Sequence, residues 1–173
     1  VTTLTELEEA VATYTARAAE KLRRQHAAAR GITVLIVPKQ EVKGSYYRHG
    51  PTKSGAVRLP LATALTNELV KAALELVRSL FEAGKTYKKA GVILSDIVPE
   101  TVIQGNLFVA VPTSSEKLAK GRALMEAIDN INFSMRGDIL KFAAIGTTRN
   151  WKMRQEMRSP RYTTRWEELP LLK

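Results

Sequence analysis

The chain contains no cysteine, so disulfide bridges, thiolate nucleophiles and cysteine-ligated zinc are excluded. Its two histidines, His26 and His49, have no metal-ligating neighbours in sequence, and neither is predicted to be a ligand or a general base. No apolar run approaches the ~20 residues that a membrane-spanning helix needs, and no basic-then-apolar leader is recognisable. We therefore expect a cytoplasmic protein that has no membrane partner.

Clustered carboxylates are also lacking. Asp96, Asp129 and Asp138 stand apart in sequence, whereas two-metal nucleotidyl transfer needs close carboxylates that hold ions ~4 Å apart. The chain has neither a nucleophile elbow nor a glycine-rich phosphate loop. We therefore predict no active site, no metal and no cofactor, and a nuclease is a disfavoured alternative.

Positive charge is abundant, with 27 Lys and Arg against 17 Asp and Glu. Residues 1–100 and residues 101–173 each carry a net charge of +5, so the excess is not confined to a tail. A basic protein gains affinity for polyanions because each neutralised phosphate releases bound counterions. Nucleic acid is the partner that this composition favours, although solubility alone would also account for it.

Hydrophobic periodicity predicts a first domain over residues 1–97. Helical spacing of apolar residues begins at Leu4, with Thr5 and Glu8 as a capping box, and Gly31 is expected to break this helix. The further predictions are strands at 32–37, 56–59 and 89–97 and a helix capped by Thr63 or Thr66 that ends at Gly84. These elements indicate an α+β fold, a small antiparallel sheet with two helices on one face. A further strand before Val1 would complete a doubled split βαβ pattern.

Residues 98–113 are predicted to be a linker because Pro99, Gly105 and Pro112 interrupt them. Residues 114–173 are predicted to form a smaller helix–strand–tail appendage. Its helix, about 114–132, carries one apolar side, its strand covers 139–144, and its tail is basic with interleaved aromatic residues. The apolar side of that helix consists of Leu118, Leu124, Met125, Ile128 and Ile131.

Three stretches resemble one known family. The segment YTARAAEKLR (Tyr14–Arg23) resembles the first helix of the little-finger domain in UmuC-type polymerases, and YKKAGV (Tyr87–Val92) resembles that domain's last strand. The tail resembles the SPxYTTR ending of UmuC and its MucB and ImpB relatives. The tail residues that carry this resemblance are Trp151, Met153, Arg154, Ser159, Pro160, Tyr162, Thr163, Thr164 and Arg165.

The resemblance covers essentially the whole chain and implies the C-terminal part of a Y-family translesion DNA polymerase. It implies a little finger whose first strand is missing, without the finger, palm and thumb domains. Mg²⁺ would then be expected only in the absent palm. The implied function is DNA binding and clamp tethering during error-prone SOS synthesis, with UmuD′ and RecA as further partners of the C-terminal end. The alternative is a free-standing RNA- or DNA-binding module that has no clamp interaction.

In the resembled little fingers, the sheet lies along the DNA and contacts backbone phosphates, which gives affinity without sequence readout. The resemblance places Lys88 and Lys89 in this role, and the other candidates lie on or beside the predicted strands. These further candidates are Lys39, Lys43, Lys53 and Arg58. The alternative is a solvated charged face.

The pentapeptide Gln104-Gly105-Asn106-Leu107-Phe108 in the predicted linker resembles the bacterial sliding-clamp-binding peptide. An extended segment can place Leu107 and Phe108 in an apolar pocket while the Gln104 amide fixes the register, with Asn106 between them. Gly105 stands where leucine is usual, and this difference predicts weaker binding. The alternative is that both apolar side chains pack on the protein's own core.

Overall fold

The computed structural model describes residues 1–39, 51–102, 115–147, 151 and 158–169. Within these ranges, one three-stranded antiparallel sheet is combined with three α-helices and short 3-10 helices. The main elements are α1 (Leu4–Arg24), β1 (Ala27–Pro38), β2 (Lys53–Thr63), α2 (Thr66–Leu80), β3 (Tyr87–Pro99) and α3 (Ser115–Ser134). The α+β class expected from the sequence is confirmed.

The N-cap of α1 is Thr3, two residues before the expected capping residue Thr5. The Thr3 hydroxyl accepts a hydrogen bond from the Glu6 backbone N–H at 3.3 Å, and the Glu6 carboxylate accepts one from the Thr2 N–H at 3.2 Å. The latter bond is the main reason that the pKa of Glu6 lies below its ordinary value. The prediction of Thr5 with Glu8 was wrong because the same Thr-x-x-Glu spacing also occurs at Thr3 and is used there.

The helix also ends earlier than expected, at Arg24, and Gly31 lies inside β1 rather than after a helix. His26 takes a positive φ of 50°, which turns the chain directly into the strand. Strand β1 is central in the order β2-β1-β3 and runs antiparallel to both neighbours. All three strands extend beyond their predicted limits, because pairing with a neighbour satisfies backbone groups that apolar patterning does not report.

Both α1 and α2 pack on one face of the sheet, as predicted. The main core joins Leu7 and Val11 of α1 and Ala73 and Val77 of α2 to the β1 residues Ile32, Val34 and Ile36. Neither candidate threonine is the N-cap of α2, since that position is Leu65. Thr63 instead accepts a hydrogen bond from the Leu65 N–H at 3.1 Å, and α2 ends at Leu80 rather than Gly84.

Val1 lies along the outer edge of β3. Its amino group donates to the Tyr87 carbonyl at 3.2 Å, and the Tyr87 N–H donates to the Val1 carbonyl at 2.7 Å. This reciprocal pair is the arrangement found between antiparallel strands. The further strand expected before Val1 stays a prediction, and this edge is where it would pair.

Helix α3 packs on the helical layer, which covers only part of its predicted apolar side. Met125 is buried and Ile128 is half-buried, whereas Leu124 and Ile131 are exposed. The predicted apolar side is therefore only partly buried. Gly121 brings the α3 backbone close to α2's first turn, where a Cβ would lie 3.3 Å from the Leu65 side chain.

The strand predicted at 139–144 was also wrong, because this segment holds a 3-10 helix at Ala143–Ile145. Ile145 is buried in a small cluster with Ala12 of α1 and Val70 of α2, and Phe142 packs against it. Periodicity cannot separate a short apolar run in a strand from the same run in a packed turn. Here the segment lies on helices rather than beside another strand.

The first residues of the predicted linker are regular structure. Strand β3 continues to Pro99, and a 3-10 helix covers Glu100–Val102. The Glu100 N–H donates to the His26 carbonyl at 2.9 Å, and the Glu100 carboxylate pairs with Arg122 of α3 at 3.0 Å. Across the described ranges, no helix has the length and apolarity needed to cross a bilayer.

Candidate nucleic-acid interface

The sheet presents one face to the helices and the other away from them. Ile32, Val34 and Ile36 of β1 are fully buried on the helix side, whereas Thr33 and Leu35, which alternate with them, are only half-buried. Directly paired residues of antiparallel strands lie on the same face. The outer face, defined here as the side of Gly31, Thr33, Leu35 and Val37, therefore also carries their partners on β2 and β3. Those partners are Ser54, Ala56, Arg58, Lys89, Gly91, Ile93 and Ser95.

Lys88 and Lys89 lie at an irregularity in the pairing of β3. Lys89 pairs with Val37, but the next partner of β1, Pro38, pairs with Tyr87, so Lys88 is an extra residue in β3. Tyr87 is 3% exposed and packs in the core, whereas both lysines are exposed. In a regular strand these neighbours would point to opposite faces. The extra residue lets the chain bury Tyr87 and still leave both lysine side chains in solvent.

Lys39 lies at the same end of the sheet. Its backbone N–H donates to the Thr86 carbonyl at 2.7 Å, which holds the end of β1 against the start of β3. Its side chain is exposed. Three lysines, Lys39, Lys88 and Lys89, are thus brought together where β1 ends and β3 begins, and we refer to them as the lysine end.

Arg58 places a positive charge near the opposite end of the outer face. It pairs with Gly31, six positions from Val37 along β1, so it lies about 20 Å from the lysine end along the strands. Its guanidinium forms an ion pair with Asp96 at 3.3 Å, and the two side chains are 69% and 52% exposed. Between the two ends, the face consists mostly of small or uncharged side chains.

Lys53 does not belong to the outer face. It pairs with Ile36, on the helix side, and two positions further along β2 Gly55 lies against Leu76 and Leu80 of α2. Its ammonium group forms an ion pair with Glu82, which also pairs with Lys85. Lys43 and the clamp-peptide residues Gln104, Asn106, Leu107 and Phe108 lie outside the described residues.

The described part of the tail is mostly exposed. Trp151 packs edge-on against Tyr14 of α1, with ring centroids 5.8 Å apart, and this contact joins the tail to α1. Trp166 is 86% exposed. Glu168 accepts from the Arg161 backbone N–H and pairs with Arg165 at 3.4 Å. Met153 and Arg154 lie outside the described residues, while the remaining signature positions are exposed, namely Ser159, Pro160, Tyr162, Thr163, Thr164 and Arg165.

Each aspartate that looked isolated in sequence pairs with an arginine in the fold. Asp96 pairs with Arg58, Asp129 with Arg23 at 2.7 Å, and Asp138 with Arg17 at 3.7 Å. Sequence reasoning missed these pairs because their members are between 38 and 121 positions apart. No local sequence pattern predicts which arginine meets which aspartate, because strand register and helix docking create these contacts.

Comparison with known proteins gives the family. The impB/mucB/samB family C-terminal domain matches residues 1–107, and a domain of unknown function, DUF4113, matches residues 122–172. Protein UmuC of Salmonella typhimurium is 36% identical over 170 residues, covering 98% of this chain and 38% of the relative. Protein ImpB of Salmonella typhimurium is 34% identical, covering 95% of this chain and 37% of the relative. Protein MucB of Escherichia coli is 34% identical, covering 99% of this chain and 38% of the relative. The chain thus spans less than two fifths of the length of these relatives, and it belongs to the impB/mucB/samB family through that family's C-terminal domain.

Proposed function

We propose that this chain grips duplex DNA with the outer face of its sheet and tethers a translesion polymerase to a sliding clamp. Family membership and the resemblance of the sequence to UmuC-type polymerases support the polymerase setting, in which the DNA is a primer–template during SOS synthesis. UmuD′ and RecA are the further partners that we propose for the same setting. Catalysis and its Mg²⁺ would belong to a palm domain outside this sequence.

The observation that carries the DNA-binding proposal is the pair of exposed lysines at the β3 irregularity. Lys88 and Lys89 are adjacent in sequence, yet neither enters the core. With Lys39 they place three ammonium groups at one end of a face whose other end holds Arg58. A separation of about 20 Å corresponds to about six base pairs of duplex at 3.4 Å each. Cations placed in this way contact backbone phosphates and leave the bases unread, which suits a damaged template.

The test is a salt titration of duplex affinity for the 173-residue chain and its Lys88→Ala/Lys89→Ala variant. Loss of two phosphate contacts should weaken binding and reduce the slope of log K against log salt by about two. The matched control is Lys21→Ala/Lys71→Ala, which removes the same charge from exposed positions on α1 and α2. Equal losses in both variants would reduce the effect to net charge and would overturn the assignment of the face.

A competition experiment separates DNA from RNA as the ligand. If duplex RNA displaces primed DNA at equal or lower concentration, and the clamp does not bind, the free-standing RNA-binding alternative replaces this proposal. Preference for DNA together with clamp binding supports the proposal as stated.

The clamp-tethering proposal rests on the pentapeptide Gln104–Phe108 and on where its neighbours lie. On one side, Glu100 is held by the His26 carbonyl and by Arg122. On the other side, α3 begins at Ser115 and packs on the helical layer. The peptide would thus be presented by a segment whose two ends are fixed on one folded body. An anchored segment loses less conformational entropy on binding than a free tail.

Clamp affinity should fall when Leu107 and Phe108 are both changed to alanine. Burying a large apolar side chain contributes about 1.5–3 kcal/mol, so removing both should weaken binding by at least tenfold. Ile103→Ala/Val109→Ala is the matched control, since it removes apolar surface beside the pentapeptide and not within it. Unchanged affinity in the Leu107/Phe108 variant would exclude the peptide from the clamp contact.

A further inference from the structure

Arg58, a basic candidate on the outer face, already has a carboxylate on its guanidinium. Asp96 Oδ2 lies 3.3 Å from Arg58 Nε, although the two residues belong to opposite edge strands. Both side chains are more than half exposed, at 69% and 52%, so the pair sits in solvent on the surface. A DNA phosphate and this carboxylate would compete for the same guanidinium.

The Arg58–Asp96 contact spans the central strand beside Gly31. Arg58 on β2 and Ser95 on β3 both pair with Gly31 of that strand. Gly31 is buried, and the space that a Cβ there would need is taken by Ser95 Oγ. The Arg58 guanidinium thus reaches from one edge strand to the residue next to Ser95 on the other.

Asp96 takes a backbone conformation that is uncommon for a residue with a side chain. Its φ is 50°, inside a strand where negative values are the rule. Regular alternation would place Asp96 on the side of Leu94, which packs on the helix-side core. The left-handed conformation instead accompanies a carboxylate that reaches Arg58, and aspartate and asparagine are the side-chain-bearing residues that tolerate it best.

We propose that Asp96 is an internal competitor for phosphate, which occupies Arg58 and lowers the affinity of the outer face for polyanions. This inference rests on the proposed DNA-binding function and adds a restraint to it. A polymerase that must slide on damaged DNA and then leave it benefits from weak, reversible contacts. The carboxylate must be displaced before Arg58 can bind a phosphate. The free energy of breaking the Arg58–Asp96 ion pair is therefore subtracted from the free energy of that phosphate contact.

The test is Asp96→Asn in the 173-residue chain, with duplex affinity measured across a salt series. Asparagine accepts the positive φ and keeps the size of the side chain but removes the negative charge. Exposed ion pairs are weakly coupled, so affinity should rise about two- to fivefold. The salt slope should become steeper by about one, because Arg58 now takes part as a full phosphate contact.

Two controls separate local competition from net charge. Glu68→Gln removes one negative charge from an exposed position on α2, so it should raise affinity less than Asp96→Asn does. In an Arg58→Ala background, Asp96→Asn should have no effect beyond that of Glu68→Gln. An equal gain from Glu68→Gln and Asp96→Asn, or an undiminished gain from Asp96→Asn in the Arg58→Ala background, overturns the inference. If Asp96→Asn fails to fold by circular dichroism, Asp96→Gly replaces it, because glycine adopts the same φ freely.

Failure of this inference differs from failure of the proposed function. If Lys88→Ala/Lys89→Ala weakens duplex binding but Asp96→Asn changes nothing, the outer face binds DNA and Asp96 does not restrain it. If the lysine variant binds as tightly as the parent, the proposed face is wrong and the inference about Asp96 falls with it.

Discussion

Arg23 links α3 to the helical layer, and removing its carboxylate partner gives the sharpest stability prediction. Arg23 of α1 donates to both carboxylate oxygens of Asp129 on α3, at 2.7 and 2.8 Å. The same guanidinium donates to the Ala64 carbonyl at 2.7 Å and to the Thr66 hydroxyl at 2.9 Å. It therefore joins α1, the start of α2 and α3. We expect Asp129→Ala to loosen α3 from this junction.

The size of the stability loss expected for Asp129→Ala follows from how far the ion pair is buried. The side chains of Arg23 and Asp129 are 14% and 24% exposed, so removing the carboxylate leaves a largely desolvated guanidinium with only two neutral acceptors. Breaking a fully buried ion pair costs about 3–5 kcal/mol, and partial exposure here reduces that to about 2–3 kcal/mol. In a chain of this size, such a loss lowers the melting temperature by about 5–10 °C.

The assay combines thermal unfolding with amide hydrogen exchange. Asp129→Ala should lower the melting temperature and increase exchange in α3 more than in β1, since β1 lies in the sheet core. The matched control is Asp138→Ala, because Asp138 meets Arg17 at 3.7 Å with side chains 46% and 55% exposed. That exposed pair should contribute less than about 1 kcal/mol. Equal effects of the two variants, or unchanged exchange in α3, would refute the reasoning.

Three further predictions concern residues 1–97. Thr3→Ala should cost about 1 kcal/mol of unfolding free energy, because it removes the α1 N-cap, and a denaturant titration beside Thr5→Ala measures the difference. Ile36→Ala should cost about 2–5 kcal/mol and Leu35→Ala clearly less, since only Ile36 is fully buried; equal costs would contradict the assignment of sheet faces. Burial raises the pKa of the Tyr87 hydroxyl above its ordinary value of 10.0. The buried neutral hydroxyl therefore contributes fully to the free energy of unfolding below pH 10.0, and this contribution is lost as pH rises through the higher folded-state pKa. Tyr87→Phe should remove this alkaline loss in pH-dependent unfolding, and an identical alkaline limb in both proteins would count against it.

The arrangement of helices and strands in residues 1–97 was predictable because its apolar patterning is strong. Leu7 and Val11 mark the buried side of α1, and Ile32, Val34 and Ile36 mark the buried side of β1. Element ends were less predictable. Two Thr-x-x-Glu spacings overlap at the start of α1, and only the packed structure selects Thr3 over Thr5.

The candidate interface was predictable in composition but not in geometry. The sequence shows Lys88, Lys89 and Lys53 only as basic residues on or beside predicted strands. Pairing between strands separates them, because the extra residue in β3 keeps the first two in solvent while Lys53 turns towards Glu82 on the helix side. A shift of one residue in register reverses the face of a side chain, and no local pattern reports that shift.

Composition, periodicity and short motifs are local features of the chain, and they were enough to predict the fold class, the basic character and the family. Which charges meet depends on the packing of distant segments. The pairs Arg58–Asp96 and Arg23–Asp129 join residues 38 and 106 positions apart. Such contacts arise when sheet register and helix packing bring distant segments together, and they leave no trace in either segment alone.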